Sequence, residues 1–265
     1  MRTTRKATTP LSIALLNSND AAASYLIERR ANVNLSSPIY GAPLHLACRE
    51  STVAMVRQLV EAGADVDLAV PGTPGTPGTP LQAAVLRRGY FDEGSKEIIQ
   101  YLIDEAGADV NRRGGTYGTV LAAATLQGSP TLVSFLLEKK AVPGLADGMG
   151  RLPLHMAMLH GLEHVKLIHE AGADLLRARD KTGRSVLHWA AQGGSAEVID
   201  YVLKLLSSNK ELEVDYRDND GCTALCWAAR GCGSEFRASR AGGAVRSHQT
   251  AARPGCGSRR ASSLL

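Results

Sequence analysis

Apolar residues along this chain recur in short runs with helical spacing, and polar turns separate the runs. Seven of these runs begin with a leucine that follows Pro, Val or Ala, at Leu11, Leu44, Leu81, Leu121, Leu154, Leu187 and Leu225. Three of the six intervals between these leucines are 33 residues long, and the others are 37, 38 and 40. A period of this size predicts one structural unit that is stacked many times.

Each unit is predicted to contain two helices joined by a turn. The first helix follows Thr or Ser in several copies, as at Thr9, because such a side chain can accept a hydrogen bond from a free backbone N–H. Pro often fills the next position, where no backbone hydrogen bond is lost. Apolar residues at i, i+3 and i+4 then predict a second helix with one buried face, as in residues 56–60 and 99–103. Glycine ends this helix, as at Gly63.

These elements stay in phase over residues 8–232, and together they resemble the ankyrin repeat family. Helix starts of the Thr-Pro-Leu-His-Ala type, Leu-Leu pairs and Gly-Ala-Asp-Val-Asn helix ends carry the resemblance. It implies an all-α solenoid of stacked antiparallel helix pairs, with β-turn fingers along one edge. We expect six near-complete repeats and a truncated seventh in residues 8–232. Residues 233–265, rich in Gly, Ala, Arg and Ser, are expected to form a disordered tail.

Charge is distributed unevenly along the chain. The net charge is +4, yet the segment from Arg230 onward carries seven Arg and one acid, so the charges of the residues before it sum to −2.

Five cysteines without a disulfide framework predict an intracellular, cytoplasmic setting. Basic residues followed by the apolar run that starts at Leu11 resemble a short targeting signal. The first helix of the first repeat also explains this apolar run. The sequence contains no apolar run long enough to span a membrane.

The array departs from its period in four places. Gly-Thr-Pro triplets in residues 71–80 indicate an enlarged finger, with a Thr-Pro phosphorylation or docking site as the alternative. Residues 87–96 and 207–211 are further insertions, which a solenoid tolerates because each repeat touches only its neighbours. The seventh copy lacks a second helix. We hypothesise that its tail is not the native continuation and comes from a truncated or frame-shifted gene, which sequencing of the transcript tests.

Several residues able to carry chemistry also have a structural explanation. His160, His164 and His169 could suggest zinc, but Gly161 interrupts the helical spacing of the first two. The cysteines at 222, 226 and 232 lack a paired Cys-x-x-Cys motif. His45, His155 and His188 recur at one phase, and the family resemblance implies that they steady the finger turns. No catalytic motif occurs, so we predict neither an enzyme, nor a cofactor, nor a metal site.

The predicted function is binding of a partner protein through the concave face and the fingers. By resemblance, the variable positions there would make the contacts: Arg49, Glu50, Arg87, Gln127, His160 and Gln192 after the first helices, and Arg151, Lys181, Arg184, Asn219 and Asp220 on the fingers. The partner's identity stays open, and no small-molecule substrate or membrane partner is predicted. Two alternatives are a regulatory or targeting fragment of a larger enzyme or signalling protein, and weak binding of nucleic acid or an acidic surface by the Arg-rich tail.

Overall fold

The computed structural model describes residues 8–70, 78–87, 93–208 and 214–231. Within these ranges the chain forms α-helices, one π-helical turn and isolated β-bridges, which confirms the all-α prediction. The helices are α1 Pro10–Leu16, α2 Asp20–Glu28, α3 Pro43–Glu50, α4 Val53–Glu61, α5 Pro80–Val85, α6 Glu93–Gln100, α7 Val120–Gln127, α8 Pro130–Glu138, α9 Pro153–Ala157, α10 Leu162–Glu170, α11 Val186–Gly193, α12 Ala196–Ser208 and α13 Ala224–Gly231. The π-turn spans Tyr101–Glu105 and extends α6.

The predicted caps set where the helices begin. The hydroxyl of Thr9 accepts from the backbone N–H of Ser12, and Thr79 and Thr119 make the corresponding bonds at the starts of α5 and α7. Each bond satisfies one N–H that has no partner within its helix. After α4, Gly63 adopts φ +88°, a left-handed conformation that ends the helix.

The helices stack in two rows. The first-helix row consists of α1, α3, α5, α7, α9, α11 and α13, each packed on the next, and the second-helix row consists of α2, α4, α6, α8, α10 and α12. Six of the seven repeated leucines are buried between the rows, with Leu44, Leu81 and Leu154 at most 2% exposed, whereas Leu225 on α13 is 79% exposed. Alanine beside them, such as Ala47 and Ala84, lets neighbouring helices approach closely without losing helix propensity. The core is therefore continuous from α1 to α13.

The third repeat contains one extra residue in its second helix, and a π-turn accommodates it. Residues 99–103 were expected to be ordinary helix, but five residues from Tyr101 wind more widely, and the N–H of Ala106 bonds to the carbonyl of Tyr101. Compared with the second repeat, one more residue separates Leu102 from Gly107 than separates Leu59 from Gly63. A π-turn accommodates one residue without shifting the buried face, so Leu102 stays fully buried.

Several predicted features lie outside the described residues. These are most of the Gly-Thr-Pro triplets, the aromatic part of the 87–96 insertion, residues 209–213 and the tail from residue 232. In the described part of the chain, no helix combines the length and hydropathy required to cross a membrane.

Candidate protein-interaction surface

Three of the described fingers are attached to the preceding repeat by a buried side chain at the start of a first helix. The Nδ1 atom of His45 accepts from the backbone N–H of Ala42 at 3.2 Å, and its Nε2 atom lies 3.1 Å from the carbonyl of Gly78 in the next finger. His188 repeats the arrangement, with its Nε2 atom 3.1 Å from the carbonyl of Cys222. These rings therefore join consecutive repeats as well as capping their own helices.

Gln82 takes this position in the third repeat. Its side-chain amide donates to the carbonyl of Gly118 at 3.1 Å, which is the same finger-to-helix connection that the histidines make. The sequence interpretation assigned the role to histidine alone and missed Gln82. The signal was present, because Gln82 directly follows one of the seven repeated leucines.

Burial keeps these histidines neutral. It lowers the pKa of both His45 and His155 from 6.5 to about 4, because a charged ring would lose its hydration inside the stack. Hydrogen bonds to nearby carbonyls oppose the shift but do not cancel it. Burial also lowers the pKa of His188. The rings of His45 and His188 thus act as structural connectors, and all three rings are poorly suited to accept protons at neutral pH.

A clamp of charged and aromatic side chains holds the last two fingers. The carboxylate of Asp180 accepts from Arg184 at 2.8 Å and from the indole N–H of Trp189 at 3.1 Å. The guanidinium of Arg184 lies 4.3 Å from the ring centre of Trp189 and 4.9 Å from that of Trp227. Trp227 in turn donates to Asp218 at 2.8 Å. The packing role predicted for the tryptophans omitted these hydrogen bonds, which require the finger to fold over its own helix.

The structure distributes the eleven predicted contact residues between two edges. Fingers adjoin the N-terminal ends of the first helices, so the predicted finger residues gather there. The other six lie at or just beyond the C-terminal ends of these helices, the opposite edge. An eight-residue helix separates the edges by about 12 Å. The six are Arg49, Glu50, Arg87, Gln127, His160 and Gln192.

Several of these residues are engaged within the chain. Arg49 and Glu50 pair with each other at 2.8 Å, and Arg87 donates to the carbonyl of Ser51 at 2.7 Å. Gln192 is half-buried, and its side-chain oxygen has no hydrogen-bond partner among the described residues. The internal bonds of Arg49, Glu50 and Arg87 hold these side chains in fixed positions, and Gln127 at the end of α7 is the exposed member of the set.

On the fingers, Arg151 and Arg184 each bind the buried aspartate of their own turn, at 2.6 and 2.8 Å. Lys181, Asn219 and Asp220 are exposed. The side-chain amide of Asn219 donates to the carbonyl of Lys181 at 3.1 Å, so adjacent fingertips are tied together.

Two exposed apolar residues on the fingertips were not among the contact residues predicted from the sequence. Ile39 is 39% exposed and Met149 is 52% exposed, each at the turn of a finger. The backbone N–H of Lys181 bonds to the carbonyl of Met149, which fixes the turn while its side chain faces outward. Their apolar character was visible in the sequence, but their exposure depends on how the turn is oriented.

The three clustered histidines lie among the described residues, whereas Cys232 of the cysteine cluster lies outside them. His160 and His164 have ring centres 5.4 Å apart, whereas His169 bonds to the hydroxyl of Tyr201 at 2.9 Å. In residues 8–70, 78–87, 93–208 and 214–231, no three His, Cys, Asp or Glu side chains are grouped so as to hold a metal ion. Burial raises the pKa of the Cys48 thiol, so this cysteine is an unreactive core residue.

Comparisons with known proteins agree with this architecture. A family model described as ankyrin repeats (3 copies) matches residues 1–70, 90–178 and 154–236. The E3 ubiquitin-protein ligase KEG of Arabidopsis thaliana is 29% identical over 187 residues, which are 68% of this chain and 11% of the ligase. The putative palmitoyltransferase ZDHHC13 of Danio rerio is 30% identical over 221 residues, which are 82% of this chain and 32% of that protein. The chain thus spans a small part of each of these relatives.

Solved structures show the same fold. The ankyrin repeat domain of Bcl-3, a member of the IkappaB protein family, superposes with a TM-score of 0.58 and 25% sequence identity. The match covers 84% of this chain and 95% of the Bcl-3 domain. The stacked helix pairs, the fingers attached by buried histidines and the family match lead to one assignment: the chain belongs to the ankyrin repeat family, whose repeats form protein-interaction domains.

Proposed function

We propose that this array binds a partner protein through the concave face of its first helices and the adjoining fingers. The observation that carries the proposal is the attachment of three fingers to the preceding repeats by His45, Gln82 and His188. A surface fixed in this way loses little conformational entropy when a partner docks, so more of the contact energy is available for affinity.

Four exposed side chains are the first expected contacts on this surface. Gln127 lies at one edge, and Lys181, Asn219 and Asp220 lie at the other. The remaining predicted positions are half-buried and several make internal bonds, so we expect them to contribute shape more than new hydrogen bonds.

The test captures partners of the full chain from a cell extract and identifies them by mass spectrometry. Replacement of Gln127, Lys181, Asn219 and Asp220 by Ala should abolish capture while leaving the helical circular dichroism unchanged. A matched control removes the same charges from the second-helix row, by Ala substitutions at Lys166, Glu197, Ser207 and Ser208. Capture that survives the first set of substitutions, or is lost equally with the control, would overturn the proposal.

A second candidate function is regulation or targeting within a larger protein. It is supported by the small share of the matched relatives that this chain covers, 11% of a ubiquitin ligase and 32% of a palmitoyltransferase. Reading the flanking genomic sequence and the transcript tests this alternative. A transcript without a further coding domain would remove it.

A further inference from the structure

The fingers of the fourth, fifth and sixth repeats are basic, although the array that carries them is acidic. Residues 111–119, 144–152 and 177–185, which form these fingers, contain seven basic residues and two aspartates. The rest of residues 8–229 contains 13 basic and 23 acidic residues. Positive charge is therefore concentrated on three consecutive fingers.

The two aspartates of these fingers leave most of this charge uncompensated. Asp147 and Asp180 are buried, at 4% and 6% exposure, and each pairs with the arginine that follows it by four positions in its own turn. On the seventh finger, Asp215 and Asp220 are exposed. The basic surface therefore ends at the sixth finger.

Backbone carbonyls hold two of the exposed guanidinium groups. Arg113 of the fourth finger donates to the carbonyl of Ala146 in the fifth. Arg179 of the sixth finger donates to the carbonyl of Leu176 at 3.0 Å and lies 4.8 Å from the ring centre of Tyr216. Neither guanidinium has an ion-pair partner among the described residues. Because a carbonyl has no net charge, these contacts fix the cations without neutralising them, and both remain available to an anion.

Met149 lies on the finger between these two cations. Its side chain is 52% exposed, and its carbonyl accepts from the backbone N–H of Lys181 at 2.9 Å. Lys181 is exposed, and its ammonium group has no ion-pair partner in the described part of the chain. We define Arg113, Met149, Arg179 and Lys181 as the finger stripe. It presents a cation, an apolar side chain and two further cations on consecutive repeats.

This order of side chains matches an extended acidic peptide. Neighbouring repeats packed about 8–10 Å apart correspond to about three residues of extended chain at about 3.3 Å each. A carboxylate can therefore face the fourth finger and another the sixth, while an apolar side chain between them contacts Met149. A nucleic acid matches less well, because its phosphates offer Met149 no apolar partner. Single strands also stack their bases on aromatic rings, and Tyr117, the one aromatic residue of these three fingers, is half-buried.

We propose that an extended acidic segment of a partner protein, with an apolar residue at its centre, docks along the finger stripe. Its carboxylates pair with Arg113 on one side and with Arg179 and Lys181 on the other, and its apolar side chain contacts Met149. The inference rests on the proposed function, because it names the chemistry of the partner that the fingers bind.

The experiment measures fluorescence anisotropy of labelled probes mixed with the full chain. The main probe is a peptide of about twelve residues, long enough to cross three fingers, with one central Leu between Asp and Glu residues. The comparison probes are the same peptide with a central Ser, a peptide with Lys in place of the acids, and oligo-dT. The acidic Leu peptide should bind most tightly. Raising NaCl from about 0.1 to about 1 M, which shortens the Debye length from about 10 to about 3 Å, should raise its Kd at least about tenfold.

Charge-reversal variants locate the binding site on the fingers. Lys181→Glu, which removes no internal side-chain contact, should raise the Kd of the acidic peptide about threefold, and Arg113→Glu with Lys181→Glu at least about tenfold. Lys166→Glu with Lys204→Glu makes the same change of charge at exposed positions of the second-helix row and should change the Kd by less than about twofold. Circular dichroism checks that each variant keeps its helices.

The central apolar contact has its own test. Met149→Ser should raise the Kd of the Leu peptide about fivefold and leave that of the Ser peptide unchanged, since the Ser peptide lacks the apolar partner. Equal effects on the two peptides would overturn the proposal, as would absence of binding, tighter binding of oligo-dT or the Lys peptide, or equal losses in the second-helix control.

The proposed function fails in a different assay, the capture of partners from an extract. If capture is abolished by the four Ala substitutions described above but persists in Arg113→Glu with Met149→Ser, the acidic-partner inference is overturned and the proposed function stands. If capture survives the four Ala substitutions, the proposed function itself is overturned.

Discussion

The guanidinium of Arg57 on α4 and the carboxylate of Glu105 in the π-turn form a two-bond ion pair, with N–O distances of 2.6 and 2.7 Å. The same guanidinium lies 4.1 Å from the ring centre of Tyr101. On the other side of the turn, Asp104 binds Lys139 of the fourth repeat at 2.6 Å. The extra residue of the third repeat therefore places carboxylates toward both neighbouring repeats.

We expect Arg57→Ala and Glu105→Ala each to lower the melting temperature slightly, because the pair is exposed and screened by water and salt. In a double-mutant cycle the two losses should not add, since either substitution removes the same contact. Thermal unfolding of the two single variants and the double variant measures this. Additive losses, or a coupling that persists at about 1 M salt, would contradict an ion-pair contribution.

The histidine that attaches the fingers should tolerate glutamine better than alanine. His45→Ala leaves the carbonyl of Gly78 and the N–H of Ala42 without their partner, which should destabilise the array by about 1–3 kcal/mol. His45→Gln should cost less, because Gln82 makes the same inter-repeat bond at the corresponding position. Urea unfolding measures the difference. Equal losses for the two variants would show that the hydrogen bonds do not matter.

Stability should fall on mild acidification because of the buried histidines. The pKa of His45 and of His155 is about 4 in the folded chain and 6.5 otherwise, so below pH 6.5 the unfolded chain binds protons that the folded chain does not. The stability that the folded chain gains by keeping each ring neutral is complete above pH 6.5. It falls by about 3 kcal/mol for each ring as the pH approaches 4. Unfolding free energies measured from pH 8 to pH 4 test this. The unfolding free energy should change less steeply with pH in His45→Gln. An unchanged pH dependence in this variant would rule out His45 as a cause of the acid destabilisation.

Removal of Arg184 should open the clamp on the last two fingers. The side chain of Asp180 is 1% exposed, so Arg184→Ala leaves a buried carboxylate without its cation, at a cost of about 3 kcal/mol. Arg184→Lys should not restore stability, because an ammonium group cannot stack between Trp189 and Trp227 while making the same hydrogen bonds. Urea unfolding followed by tryptophan fluorescence measures both effects. Wild-type stability in the Lys variant would refute the stacking argument.

Gly107 and Gly118 have nearly the same φ angle, so substitutions at the two positions can distinguish backbone strain from a steric clash of the new Cβ atom. Gly118 has φ +74° and Gly107 has φ +73°, so Ala at either position should cost about 1–2 kcal/mol from the left-handed conformation. A Cβ at Gly118 would lie 2.6 Å from the Cα of Asp147, whereas a Cβ at Gly107 meets nothing within 4 Å. Gly118→Ala should therefore be clearly more destabilising than Gly107→Ala in thermal unfolding. Equal losses of thermal stability would mean that the finger that contains Asp147 shifts without cost to relieve the clash.

The helix positions were predictable because they depend on local signals. Capping hydroxyls such as Thr9 and Thr79, proline at first positions and glycine at helix ends act within a few residues, and the structure confirms these boundaries. The π-turn at Tyr101–Glu105 was not predicted, because one inserted residue could equally have lengthened the following turn. Its winding was decided by the need to keep Leu102 buried against the neighbouring repeats.

The candidate surface was harder to predict from the sequence. Arg184 and Lys181 both occupy a finger, yet Arg184 is half-buried between two tryptophans and Lys181 is exposed. Met149, which was not proposed, is one of the most exposed apolar residues on a fingertip. Which way each side chain points depends on contacts between repeats, and these contacts are not encoded by the spacing within one repeat.

The sequence by itself determined the repeat, the pairing of helices and the all-α ankyrin fold, because the recurring interval and the helix caps are signals that act within one repeat. Only the tertiary structure decided how repeats are joined. His45, Gln82 and His188 reach across to the next finger, and Asp104 and Glu105 reach across to the flanking helices. These bonds connect residues that are 33 to 48 positions apart, so they form only when neighbouring repeats are packed at a fixed distance.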